Sequence, residues 1–154
     1  MILWTIQNAI VYEKMNQTGV LRADKEYIVD DFFLDSYLWM SGQVKKRISN
    51  PPNGVTLPVW AWYQWEGKRK RPDMRVHGRN WGEKGAPIVL LTIDVPENQV
   101  LLSDFDSWHY VLNNLEIADP DDEEAESSKE KKQHSWEKIF CCPTDSEEYS
   151  QSSV

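Results

Sequence analysis

The apolar positions of the chain fall into short patterns separated by glycine, proline and charged runs. Residues 2–6 (ILWTI) read as a first strand. Residues 8–17 read as a helix: Asn8 can cap it, Ile10, Val11 and Met15 supply a stripe, and Gly19 follows where a helix ends in left-handed backbone. Residues 20–22 read as a brief extended segment. The clearest helical pattern is DDFFLDSYLWMSGQVKKRI, where Phe33, Tyr37, Met40, Val44 and Ile48 recur at intervals of 4, 3, 4 and 4 and share a face. Asp30 or Asp31 offers its N-cap, Lys45, Lys46 and Arg47 suit the negative end of its dipole, and Asn50-Pro51-Pro52 stops it.

After a loop over 51–57 come three strand candidates: 59–65 (VWAWYQW), 88–95 (IVLLTIDV) and 100–102. Ser103-Asp104-Phe105-Asp106 fits an S-x-x-D cap opening a helix to Asn113, with Phe105, Trp108 and Leu112 on one face. Residues 1–117 therefore form the globular domain. Residues 118–133 lose apolar periodicity and read as an acidic linker. HSWEKIF (134–140) reads as a short helix docking through Trp136, Ile139 and Phe140, and 141–154 as a flexible tail. Helices and strands do not alternate as βαβ units require. The fold class expected is α+β: one domain, a mixed or antiparallel sheet, three main helices and a short C-terminal helix.

Composition sharpens this picture in two places. A chain of 154 residues suits one domain, yet it carries eight tryptophans, more than a core of this size needs. The net charge of −8 argues against a protein drawn as a whole to nucleic acid or anionic membrane. That charge is segregated, however: residues 119–126 hold six carboxylates, whereas 68–79 (KRKRPDMRVHGR) hold six Lys/Arg and one carboxylate, Asp73. The amino-terminal stretch lacks a basic region before its broken apolar run, and no window approaches a membrane span. Cys141 and Cys142 are adjacent, which disfavours a mutual disulfide and makes a poor zinc site. A cytoplasmic protein with no membrane partner and no metal is expected.

The candidate chemistry centres on PVWAWYQW and the basic run after it. In a strand, Val59, Ala61, Tyr63 and Trp65 would share the core face, leaving Trp60, Trp62 and Gln64 as a stacking wall; burial of both faces is the plainer reading. Asp73 is placed to orient a neighbouring guanidinium, so Arg71, Arg75 or Arg79 could hold a planar anion, although solvated loop charges look the same in sequence. HGRNWGEKG (77–85) surrounds Trp81 with glycines, as a ligand-closing lid or a hairpin tip would. Asp106 and His109 lie i, i+3 on the last main helix, where acid–base work competes with an ordinary cap and surface histidine.

The strings LWTIQ…YEKM…GVLRAD, PVWAWYQW…RPDMR and VLLSDFDSWHYVLNN resemble the bacterial family known as domain of unknown function 3841, over roughly 2–117 together with SWEKIF. That resemblance implies a bacterial or phage source and no particular activity. The opening strand, short helix and extended G-V-L are also similar to small ADP-ribosyltransferase-like domains, which bind NAD between split sheets. Such enzymes carry His or Arg on the first strand and a catalytic Glu on a late one. Here Thr5 and Gln7 stand on the first strand, and 88–102 holds Asp94 and Glu97.

The function expected is binding of a nucleotide-type small molecule or a single-stranded nucleic-acid end. Trp60, Trp62 and Trp4 would stack on a base, Arg71, Arg75 and Arg79 would take phosphate, and Gln7, Trp81 and His109 complete the candidate set. No cofactor is required by this reading. The alternatives are an NAD-using ADP-ribosyltransferase-like enzyme, with Asp94, Asp104 or Asp106 as its carboxylate, and a protein-interaction module of phage or defence type with a Trp/Arg hot spot.

Overall fold

Strand β1 (Ile2–Asn8) pairs antiparallel with β2 (Ile88–Asp94), from Ile2 opposite Asp94 to Asn8 opposite Ile88. This is seen in a computed structural model that describes residues 1–28, 31–77, 85–118 and 128–140. The Met1 ammonium closes the open end of the pair, donating to the Val95 carbonyl at 2.8 Å and meeting Asp94 at 3.1 Å. Asn8 ends the strand and caps helix α1 (Ala9–Thr18), its Oδ1 accepting from the Ile10 amide. Gly19 adopts φ 74° and returns its N–H to the Met15 carbonyl, as its place in the sequence leads one to expect.

Helix α2 (Leu34–Arg47) begins differently from the sequence reading. No aspartate caps it: Asp31 lies inside a preceding 3₁₀ turn (Asp31–Phe33), Phe33 takes the cap position without a side-chain bond, and Asp30 falls outside the described residues. A tight turn running straight into the helix lets backbone carbonyls serve its first amides, so a side-chain acceptor is not required. The predicted stripe does face inward through Met40, Tyr37 and Val44. The buried surface also takes in polar Ser36 and Gln43, and Ser36 donates to the Val111 carbonyl at 2.8 Å.

A one-turn helix, α3 (Met74–His77), was not anticipated. Helix α4 (Phe105–Leu112) is capped by Asp104, whose Oδ1 accepts from the Ser107 amide at 2.7 Å, rather than by Ser103. The cap moves because the Asp104 amide is tied to the Ile139 carbonyl at 2.8 Å, which holds residue 104 extended at the helix entrance. Ser128 caps helix α5 (Lys129–Ser135), so the last helix starts at Lys129 and not at His134; it runs into a 3₁₀ turn (Trp136–Phe140).

The core lies where these last elements meet α2 and α4: Met40, Trp108, Val111, Trp136 and Ile139, with Val111 and Ile139 fully enclosed. Its polar seam is satisfied. Trp136 Nε1 donates to the Leu115 carbonyl at 2.7 Å, the Ile117 amide to Ser135 Oγ at 3.0 Å, and Lys138 Nζ to the Ile117 carbonyl at 2.8 Å. Glu137 bridges Lys46 and Arg47 on the outside.

Residues 59–65 do not form a strand. A single antiparallel bridge joins Trp62 to Trp4, on the edge of β1 away from β2, with N–H···O distances of 3.0 and 2.7 Å. The ladder goes no further because the buried Thr5 hydroxyl takes the Trp60 carbonyl at 2.7 Å. On the other side Trp65 and Lys68 close a turn through Glu66 and Gly67, both at positive φ. Residues 100–102 and 20–22 likewise join no sheet; only Ala23 bridges to Leu57. The architecture is α+β with a two-stranded antiparallel sheet. Among the described residues no helix is long and apolar enough to cross a membrane.

Candidate functional site

The failed strand creates a concavity. Where 57–60 leaves β1, a cleft of about 330 Å³ opens between the β1–α1 corner, residues 22–28 and the start of α2. Val11, Phe33, Leu57, Trp60 and Leu112 give it an apolar lining; Gln7 and Tyr37 are half-buried in its wall, and Arg22 and Asp24 stand exposed at its mouth. A concavity of this size, mostly apolar with a few convergent polar groups, is the usual form of a small-molecule site.

The polar groups are fixed by the fold. Gln7 Nε2 donates to Thr5 Oγ1 at 2.6 Å, and Thr5 Oγ1 donates to the Trp60 carbonyl at 2.7 Å. This chain runs from strand to cleft through a threonine that is 1% exposed, so it pins the Gln7 amide and leaves its oxygen to accept. The Trp60 ring tilts at 35° against Trp108, 4.8 Å between centroids, and meets Tyr37 edge-on at 6.4 Å. Its indole Nε1 is buried with no acceptor. A buried donor left unmet costs roughly 1–3 kcal/mol and calls for a reason. Burial raises the pKa of the Tyr37 phenol above its ordinary value, so the hydroxyl stays neutral and able to donate. The Ala23–Leu57 bridge holds the Arg22–Asp24 segment against the opposite loop, and the Arg22 guanidinium lies beside Gly54. Among the described residues Arg22 is paired with no carboxylate.

Of the residues singled out in the sequence, the fold brings Gln7 and Trp60 together here. The others lie elsewhere. Trp4 is buried in β1 beneath the Arg69 guanidinium, 5.3 Å from its ring. Arg69 also covers Tyr63 at 3.9 Å and donates to the Ile2 and Tyr63 carbonyls, so it latches the basic segment onto β1. Trp62 packs edge-on against Trp65 and tilts on Phe105, which leaves no paired wall with Trp60. Arg75 is gripped by Asp73 at both ends, 3.0 and 2.8 Å, and that hydrogen bonding raises the guanidinium pKa further. Arg71 is exposed and outside the cleft lining. His109 sits on the exposed side of α4, its Nδ1 2.9 Å from the Phe105 carbonyl. Arg79 and Trp81 lie outside the described residues, as do Cys141 and Cys142.

The family model described as Domain of unknown function (DUF3841) matches residues 2–139. The chain belongs to this family. The match runs from the first residue of β1 to Ile139 in the core, so the DUF3841 unit includes the cleft and the closing C-terminal turn as well as the segment recognised by its tryptophans. No curated protein and no solved structure matches the chain.

Sequence reasoning missed three lining residues of the DUF3841 cleft. Tyr37 was read only as a stripe position, and its phenol on a predicted apolar face was the available signal. Arg22 and Asp24 flank an alanine in the quoted string GVLRAD, two opposite charges in an otherwise apolar stretch.

Proposed function

We propose that the protein binds a nucleotide-type small molecule in the cleft beside Trp60. The observation that carries this reading is the aromatic wall of the cleft, where Trp60 stands beside Tyr37 with Gln7, Arg22 and Asp24 as the polar groups around it. A planar heterocycle stacks on such a wall, and stacking contributes about 1–3 kcal/mol per base. Gln7 Oε1 accepts from an exocyclic amine, Asp24 accepts from sugar hydroxyls, and Arg22 meets an anion. The size of the cleft favours a single nucleotide over a strand, and the net charge of −8 opposes a long polyanion.

The test is isothermal titration of the purified chain with adenosine, guanosine, cytidine and uridine 5′-monophosphates, NAD and ADP-ribose, repeated on Trp60→Ala. At least one titrant is expected to bind and to lose affinity about tenfold in the variant, which deletes the stacking surface. Absence of binding by every titrant, or equal binding by the variant, overturns the reading.

A further inference from the structure

A glutamine amide is ambiguous by nature, since a half-turn about its last bond exchanges an acceptor for a donor. Gln7 is denied that half-turn by its neighbour two residues back. Thr5 and Gln7 share one face of β1, and the residues opposite them on β2, Leu91 and Val89, are aliphatic and supply no polar side-chain group. The Thr5 hydroxyl lies 2.7 Å from the Trp60 carbonyl, which can only accept, so its single proton is committed there. Toward Gln7, 2.6 Å away, the same oxygen can therefore only accept. The amide nitrogen must face Thr5, because the turned amide would set two oxygens together with no proton between them. Thr5 is 1% exposed, so water does not mediate the contact. Among the described residues no donor meets Gln7 Oε1, and the half-buried side chain lines the cleft. What this side chain keeps for a ligand is an acceptor of fixed polarity.

We propose that the cleft selects bases bearing an exocyclic amine, adenine or cytosine, against their oxo counterparts hypoxanthine and uracil, and that Thr5 is the positioning residue for this choice. The inference rests on the nucleotide reading of the cleft and adds selectivity to it. An amine on the purine or pyrimidine ring donates to Gln7 Oε1. An oxo group in its place brings acceptor against acceptor, in a hollow whose lining is mostly apolar. A glutamine free to rotate would turn its nitrogen to the oxo group and bind both classes alike. Here the rotation would break the bond to Thr5, whose proton cannot leave the Trp60 carbonyl without stranding it. The hydroxyl that holds the Trp60 backbone at the edge of the cleft is thus the one that sets the polarity of Gln7.

The experiment titrates the wild-type chain with three amino/oxo pairs: adenosine and inosine 5′-monophosphates, cytidine and uridine 5′-monophosphates, and NAD with its hypoxanthine analogue. In a pair that binds, the amino member is expected to exceed the oxo member by about tenfold or more. Thr5→Val removes the hydroxyl at nearly the same shape and frees the amide. The oxo member should then gain affinity while the amino member keeps most of its own, whereas a merely weakened fold lowers both. Thr5→Ser returns the hydroxyl and should return the preference. If the valine variant does not fold, Gln7→Leu carries the test at a half-buried position: it deletes the acceptor, and the two members should bind alike. Equal affinities in the wild-type chain, or a preference for the oxo member, overturn the selectivity and leave the cleft standing. A preference that survives Gln7→Leu overturns it as well, and one that survives in folded Thr5→Val removes Thr5 from its role. Failure of all six to bind the wild-type chain removes this inference; when guanosine 5′-monophosphate and ADP-ribose fail too, the cleft reading goes with it.

Discussion

Trp136 belongs to the core cluster and Trp60 packs against it, and the protein treats them in opposite ways. Trp136 is enclosed by the core, and its indole N–H reaches the Leu115 carbonyl at 2.7 Å. Trp60 rests on that core through Trp108, but another part of it borders the cleft, and its N–H is buried without an acceptor. Folding explains the first completely: a large apolar body is removed from water and its one donor is satisfied. The difference separates a tryptophan whose packing and hydrogen bonding are both complete from one that packs on the core and also lines the cleft.

Truncation breaks the comparison most forcefully. Trp136→Ala should destabilise the chain by about 3–5 kcal/mol, the range for emptying an aromatic site in a closed core. Trp60→Ala should fall below that range, since the ring already borders open space. Urea unfolding of the two variants measures the gap, and equal losses would mean that the cleft is closed in solution. The milder pair, Trp136→Phe and Trp60→Phe, tests the donors. The first strands the Leu115 carbonyl and should lose about 1–3 kcal/mol beyond the change in ring size. The second strands nothing.

The two halves also differ in how much of them the sequence disclosed. The core was legible because periodicity and capping act locally. Asn8 and Gly19 bound α1, and the Tyr37, Met40 and Val44 positions of the stripe turn α2 toward the core, each through neighbours within a turn or two. The cleft was not, because three nonlocal choices make it. Thr5 takes the Trp60 carbonyl from across 55 positions, Ala23 bridges to Leu57, and Arg69 folds back over Trp4. Any of these turns an aromatic run of strand-like composition into an irregular wall, and none leaves a local pattern. Gln7 and Trp60, singled out in the sequence as candidate ligand-binding residues, do line the cleft; the other lining residues Arg22, Asp24 and Tyr37 come from segments that sequence spacing does not bring together.

A smaller effect separates the two classes of arginine. Arg75→Gln removes a guanidinium that is 90% exposed and already held by Asp73, and nucleotide affinity is expected to stay within twofold of wild type, about the scale of surface substitutions. Arg22→Gln should lower it by about tenfold, the scale of one charge-assisted contact. Titration at two salt concentrations sharpens the contrast, because a lost phosphate contact flattens the salt dependence of the remaining binding. Reversal of the two effects would return the anion site to the basic run.

The smallest effect expected concerns pH and the cleft wall. Burial raises the Tyr37 phenol above the ordinary tyrosine value near 10. In the unfolded chain the phenol ionises at that ordinary value, whereas in the native chain it keeps its proton to higher pH. Below about pH 10 both states are protonated and the group adds no pH dependence. Above it the native state binds more protons than the unfolded one, so stability falls as pH rises, until the native phenol itself ionises. Tyr37→Phe removes this contribution while leaving the ring against Trp60 and Trp108. Urea midpoints for wild type and variant at pH 8 and at pH 10.5 give the comparison. The variant should gain on the wild type at the higher pH, because only the wild type carries the buried phenol whose pKa is raised. An unchanged gap would mean that the wall of the cleft is wet enough for the phenol to titrate as it does in water, and the neutral donor assigned to Tyr37 would go with it.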